Sequence, residues 1–153
     1  MAKDIRKINF KIATPEKVIF KDDVDQITLP TEMGEITILP NHIPLISVLR
    51  AGEVVVKKGN VVSAMSVSGG FIEVQAEKVV VLADTAERAE EIDVKRAEEA
   101  RTRAQKAMQQ KKMDALEFAA LAAQIEKEMA RIRVGRKYKR VDQAGMMPKY
   151  KTD

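Results

Sequence analysis

Val79-Val80-Val81-Leu82-Ala83-Asp84-Thr85-Ala86-Glu87-Arg88-Ala89-Glu90-Glu91 is where this chain changes character. Upstream, residues 1–84 hold 27 Val, Ile or Thr. Downstream, residues 89–133 hold five (Ile92, Val94, Thr102, Ile125, Ile132) among Ala, Glu, Lys, Arg and Gln. Residues 71–134 contain neither glycine nor proline. β-Branched side chains suit a pleated sheet and unbranched ones suit a helix, so a strand region gives way to a helical one here. The expected fold class is α+β: an N-terminal antiparallel β-sandwich followed by a C-terminal two-helix antiparallel hairpin. The expected divisions are a sandwich domain over residues 1–86, a helix-turn-helix over 87–135 and a basic, disordered tail over 136–153.

Upstream of the boundary, Ile8, Phe10 and Ile12 alternate with Asn9 and Lys11, the period of a strand with one buried face. Similar runs recur at Val18–Phe20, Val24–Leu29, Glu35–Leu39, Val54–Val56, Val61–Val67, Phe71–Gln75 and Val79–Leu82. Turn chemistry stands between them, including Pro30-Thr31-Glu32-Met33-Gly34, Pro40-Asn41-His42-Ile43-Pro44, Ala51-Gly52 and Ser68-Gly69-Gly70. Many short strands spaced by turns indicate a sandwich or flattened barrel. Four Phe, two Tyr and no Trp make its core aliphatic.

Downstream, Ala97, Ala100, Ala104 and Ala107 form a narrow stripe on a helix running from Glu87 to about Gln110. From about Asp114 to Val134 a second stripe passes through Phe118, Leu121, Ile125, Met129 and Ile132, and Gln109-Gln110-Lys111-Lys112 permits a hairpin between the two. Alanine facing larger residues buries little area, so docking of the helices is worth a few kcal/mol at roughly 25 cal/mol per Å². This allows docked and extended arrangements close in free energy, with a ligand or partner choosing between them; the alternative, which composition alone favours, is a stable helical hairpin packed on the sheet.

The 153-residue chain has a net charge of +4, carried unevenly. Lys/Arg against Asp/Glu is ten to eleven over residues 1–84, nine to ten over 85–130 and eight to two over 131–153. The two regions expected to fold are nearly neutral, which argues against a nucleic-acid reader; the tail's partner is an acidic protein surface or anionic headgroups, if it has one. The absence of cysteine excludes disulfides, thiol chemistry and cysteine-ligated metal. The charged start, Met1-Ala2-Lys3-Asp4-Ile5-Arg6-Lys7, has no apolar run behind it, so a soluble protein of a reducing compartment is expected.

Catalytic chemistry finds little support. The single histidine, His42, has no serine, aspartate or metal-ligand companion at recognisable spacing. Asp22-Asp23-Val24-Asp25 lacks the glycine and closing glutamate of a calcium loop. Ser66-Val67-Ser68-Gly69-Gly70 lacks the leading glycine of a nucleophile elbow, and no Walker-type loop is present.

Three motifs carry a resemblance. Gly34-Glu35-Ile36-Thr37-Ile38-Leu39-Pro40-Asn41-His42-Ile43-Pro44-Leu45, Ser68-Gly69-Gly70-Phe71-Ile72-Glu73-Val74 and Val81-Leu82-Ala83-Asp84-Thr85-Ala86-Glu87-Arg88 resemble the epsilon subunits of bacterial F-type ATP synthases, over about residues 5–135. The resemblance implies a non-catalytic rotor subunit on the cytoplasmic face of the bacterial inner membrane. It implies contacts with gamma and the c-ring, and with alpha and beta when the helices extend, with the membrane met only through the c-ring. It places Glu35 at the c-ring and His42 near gamma. Ile92-Asp93-Val94-Lys95-Arg96-Ala97 resembles the motif by which some of these subunits bind ATP, which extends the implied site to Glu87, Arg103, Lys127 and Arg131. Lys127 stands where an arginine is usual, which keeps the charge but loses the two-pronged geometry. No cofactor is required; MgATP would be regulatory. A helix cap at Asp93 with Arg96 as its ion-pair partner accounts for the same residues. The alternative function is a stand-alone nucleotide sensor or adaptor with a sandwich binding module.

Overall fold

The computed structural model describes residues 6–110 and 112–145. The strands are β1 (Ile8–Ala13), β2 (Val18–Val24), β3 (Gln26–Thr31), β4 (Gly34–Ile38), β5 (Leu45–Lys58), β6 (Val61–Val74), β7 (Lys78–Ala83) and β8 (Ala86–Arg88). A 3-10 turn, Ala89–Glu91, leads to α1 (Val94–Gln110) and α2 (Ala115–Gln143). Hydrogen bonding joins the strands in the order β2-β1-β7-β6-β5-β3-β4, with β8 on β6. All pairings are antiparallel except β1 with β7.

Glycine lets this one hydrogen-bonded path become two layers. Ala51-Gly52 and Ser68-Gly69-Gly70, expected to be turns between short strands, are instead bends inside two 14-residue strands. Core-facing positions switch from odd to even numbers along β5, and from odd to even along β6, as each strand passes these glycines. Gly69 and Gly70 have φ of +133° and +131°, where L side chains are strained, and a Cβ on Gly70 would stand 2.0 Å from the Leu82 carbonyl oxygen. Strand pairing thus continues through the bend, and the two halves enclose Phe10, Ile12, Ile27, Leu29, Val54, Met65, Ile72 and Val81.

The helices dock on the outside of one layer. Ile92 at the end of the 3-10 turn, Val94 and Ala97 of α1, and Ile132 and Val134 of α2 form a second buried cluster with Ala64 of β6 and Ala89. Asp114 opens α2 with a reciprocal capping box to Glu117. Of the stripe expected on α2, only Ile132 is buried; Phe118 remains 54% exposed. The sheet supports only the base of the hairpin, and toward the tip α2 faces α1, whose alanines are too small to cover large side chains.

Two expected boundaries differ. The segment from Glu87 is not yet helix: Ala86–Arg88 pairs with Met65–Val67 before α1 begins at Val94. No disordered tail begins at 136, because α2 runs through Gly135 to Gln143. Tyr138 packs on the second cluster, Lys137 Nζ reaches Glu53 Oε2 at 2.8 Å, and Arg136 pairs with Glu98. The rest of the expected tail, 146–153, lies outside the described residues.

Candidate functional site

A cavity of about 410 Å³ lies where the hairpin meets the sandwich edge. Registration of Glu87 opposite Ser66 places both in its wall. From α1 come Arg96, Ala100 and Arg103, spaced four and three apart and therefore on one helix face. From α2 come Lys127, Glu128 and Arg131. Four cations face two carboxylates, so the lining carries an excess of two positive charges.

Arg131 organises the negative part. Its Nε donates to Glu87 Oε2 at 2.7 Å and one terminal nitrogen donates to Glu128 Oε2 at 2.8 Å. Burial works against the guanidinium's charge, but the hydrogen bonds and charges of Glu87 and Glu128 outweigh it and hold its pKa above the usual arginine value. The trio thereby bridges β8 and α2 and ties the hairpin to the sandwich. Arg96, Arg103 and Lys127 have no carboxylate within ion-pair distance among the described residues. Unpaired cations from two helices beside a paired one suit a multiply charged anion.

The structure thus brings Glu87, Arg96, Arg103, Lys127 and Arg131 together and leaves three members of the implied site elsewhere. Ile92 and Ala97 are buried in the second cluster. Asp93 is exposed and its Oδ1 accepts the Arg96 backbone N–H at 3.1 Å, which starts α1. These three shape the helix start that presents Arg96. The cap expected at Asp93 is present, whereas among the described residues no ion pair joins its carboxylate to the Arg96 guanidinium. Glu128 escaped the sequence reading, although its place three residues before Arg131 puts the pair on one face. Arg88 also escaped: it donates to the Ile19 carbonyl at 3.2 Å and lies 5.7 Å from the Phe20 ring centroid, fastening β8 to β2.

Glu35 and His42 are not brought together. Glu35 lies near the start of β4, exposed, in a cleft shared with Arg50 and with Glu126 and Arg133 of α2. His42 follows β4 in a turn where Asn41 has φ of 64°, and its Nδ1 is 2.7 Å from the Ile43 carbonyl oxygen, to which it donates. Nearby, the uncovered half of the sandwich carries an apolar row. Val48 of β5 is registered with Phe71 of β6, and Phe71 with Leu82 of β7. Phe71 is 61%, Leu82 58% and neighbouring Ile46 78% exposed. The Asp22–Asp25 acids are engaged structurally, Asp22 with Lys58 and Asp25 with Lys7 and the Gly59 N–H.

Comparison with known proteins gives this geometry a context. The family model described as ATP synthase, Delta/Epsilon chain, beta-sandwich domain matches residues 7–89, and that described as ATP synthase, Delta/Epsilon chain, long alpha-helix domain matches 90–135. The chain belongs to the ATP synthase delta/epsilon chain family. Similar ATP synthase epsilon chains include one from Dehalococcoides mccartyi strain BAV1, 44% identical over 131 residues, covering 86% of this chain and 94% of the relative. Another, from Chloroflexus aggregans, is 44% identical over 132 residues with the same two shares. One from Roseiflexus is 50% identical over 93 residues, 61% of this chain and 67% of that one. Membership makes this an epsilon-type, non-catalytic stalk subunit of F-type ATP synthase. In fold it is similar to a chain of the Euglena gracilis mitochondrial ATP synthase (TM-score 0.67, 24% identity, 80% of this chain and 79% of that one). It is also similar to a chain of the Tetrahymena thermophila mitochondrial ATP synthase central stalk and c-ring (TM-score 0.58, 18% identity, 87% and 96%). No helix among the described residues is long and apolar enough to cross a membrane. The match to the helical domain ends at residue 135, while α2 continues beyond it.

Proposed function

We propose that the sandwich joins gamma to the c-ring at the cytoplasmic face of the bacterial inner membrane, reaching the membrane only through the ring, so that proton-driven rotation reaches ATP synthesis. The observation that carries this is the apolar row of Ile46, Val48, Phe71 and Leu82, which no part of the described chain covers. A contiguous uncovered apolar face on a folded domain suits a protein partner, and gamma is the partner assigned to it. Glu35, exposed near the start of β4, is assigned to the polar loops of the c-ring, where an exposed carboxylate sets register more than affinity. His42 is assigned to the gamma side, and nucleic acid has no part in the function.

The test is assembly. With Phe71→Glu, gamma stops co-purifying with the epsilon chain, while circular dichroism is unchanged because Phe71 is largely exposed. Retention of gamma at full stoichiometry overturns the assignment. In the same membranes Glu35→Ala lowers ATP-driven proton pumping, and pumping equal to wild type removes Glu35 from the ring contact.

A second element of the proposal concerns control. The cavity holding Arg96, Arg103, Lys127 and Arg131 favours MgATP as a regulatory ligand that keeps the hairpin docked. Extended helices then reach alpha and beta and restrain ATP hydrolysis. A binding heat for MgATP titrated into the whole chain, lost in Arg103→Gln, supports this reading, and no heat at millimolar nucleotide retires it.

A further inference from the structure

On the hairpin's other side, at its base, is a second basic cavity of about 460 Å³ that neither the nucleotide site nor the apolar row uses. Arg133, Arg136, Lys137 and Arg140 of α2 line it at three- and four-residue spacing, and Arg101 enters from α1. Its apolar wall is Met129 and Ile132. No carboxylate belongs to the lining.

Two of the five cations are neutralised from outside the cavity, Arg136 by Glu98 and Lys137 by Glu53. Arg101, Arg133 and Arg140 have no carboxylate within ion-pair distance among the described residues. Arg101 Nε is moreover buried with no hydrogen-bond acceptor. Stacking like charges on one helix face is unfavourable, and a buried donor without an acceptor adds to the cost. An anion with several oxygens removes both penalties, because each guanidinium presents a planar fork matched to phosphate. Most of the cations, Arg136, Lys137 and Arg140, lie beyond the matched helical domain.

We infer that the base of the hairpin, between α1 and the C-terminal part of α2, is a second anion site that takes a phosphate group, separate from the cavity of Arg96 and Arg103. The group comes from a soluble polyphosphate-type ion or from an anionic lipid headgroup whose apolar part rests on Met129.

Tripolyphosphate titrated into the full chain at low ionic strength, with MgATP saturating, tests the site. Binding persists in wild type and in Arg103→Gln and weakens about tenfold for each of Arg133→Gln and Arg140→Gln. Glu98→Gln, which releases Arg136, tightens it, an effect that structural damage would not produce. Loss of binding in Arg103→Gln alone, equal binding in all variants, or no binding at millimolar ion overturns the inference. Sedimentation with phosphatidylglycerol and phosphatidylcholine vesicles identifies the source. Binding to the anionic vesicles that Arg133→Gln/Arg140→Gln abolishes marks a headgroup site, and tripolyphosphate binding without vesicle binding marks a soluble ligand. Vesicle binding that the double substitution leaves intact counts against the site.

Discussion

Gly135→Ala introduces a clash that exists only in the docked hairpin, which makes it a sensitive probe of docking. A Cβ built on Gly135 stands 2.7 Å from Val94 Cγ2, 2.9 Å from Ile92 Cγ2 and 3.3 Å from Ile92 Cβ. Both neighbours are buried and β-branched, so neither moves aside easily. Overpacking of this kind costs about 1–3 kcal/mol. The higher helix propensity of alanine, about 1 kcal/mol, applies to α2 whether it is docked or free and cancels from the docking equilibrium. The overpacking remains and shifts the equilibrium toward undocking by about 1–3 kcal/mol, roughly 5- to 160-fold. Amide hydrogen exchange measures it directly: amides of Val94–Ala104 and Ala130–Val134 exchange faster in the variant, while those of β1 and β7 do not. Unchanged or slower exchange in both helical segments would show that Gly135 is not seated under Ile92 and Val94, and the reasoning would fail.

Arg131→Met leaves Glu128, only 5% exposed, without its cation. The expected loss is about 2–3 kcal/mol in urea denaturation, below the 3–5 kcal/mol of a fully buried pair because Glu87 stays 29% exposed. Adding Glu128→Leu recovers most of this loss, and a double variant no more stable than Arg131→Met contradicts the role given to the trio. Asp25 has its pKa lowered, first by the Gly59 N–H and then by Lys7. Its folded pKa is thus below the unfolded value of about 3.9, so its stabilisation is complete above that pH and disappears as pH falls through the folded pKa. Wild type therefore exceeds Asp25→Asn in denaturation midpoint at neutral pH, and the gap closes in acid; a gap independent of pH refutes this.

Much of this fold is written locally. The change near residue 85 is legible because β-branched and unbranched residues segregate, and Ile8-Phe10-Ile12 alternates as a one-sided strand must. The bends at Gly52 and Gly69-Gly70 are not, since glycine serves a turn and a kinked continuous strand equally well. The three residues of β8 are too short to show periodicity; only pairing with β6 defines them. Residues 136–143 look like a solvated tail because their cations dominate, yet Tyr138 and the glycine before them fit a tertiary seat that periodicity in α2 alone cannot reveal. At the cavity, the cations of the two helices could be named from a motif resemblance. Glu128, three residues before Arg131 on the same helix, was legible from spacing, whereas only docking brings Glu87 of β8 to Arg131, and Ile92, Asp93 and Ala97 support the helix start instead of lining the cavity.

The most direct test is a distance between the hairpin tip and the sandwich. The chain has no cysteine, so spin labels at Gln109→Cys and Glu77→Cys report one distance only. If phosphate-bearing nucleotide holds the helices down, Gly135→Ala broadens that distance, saturating MgATP restores the docked value, and adding Arg103→Gln abolishes the restoration. A distribution that MgATP leaves unchanged in Gly135→Ala, with or without Arg103, would contradict nucleotide-held docking.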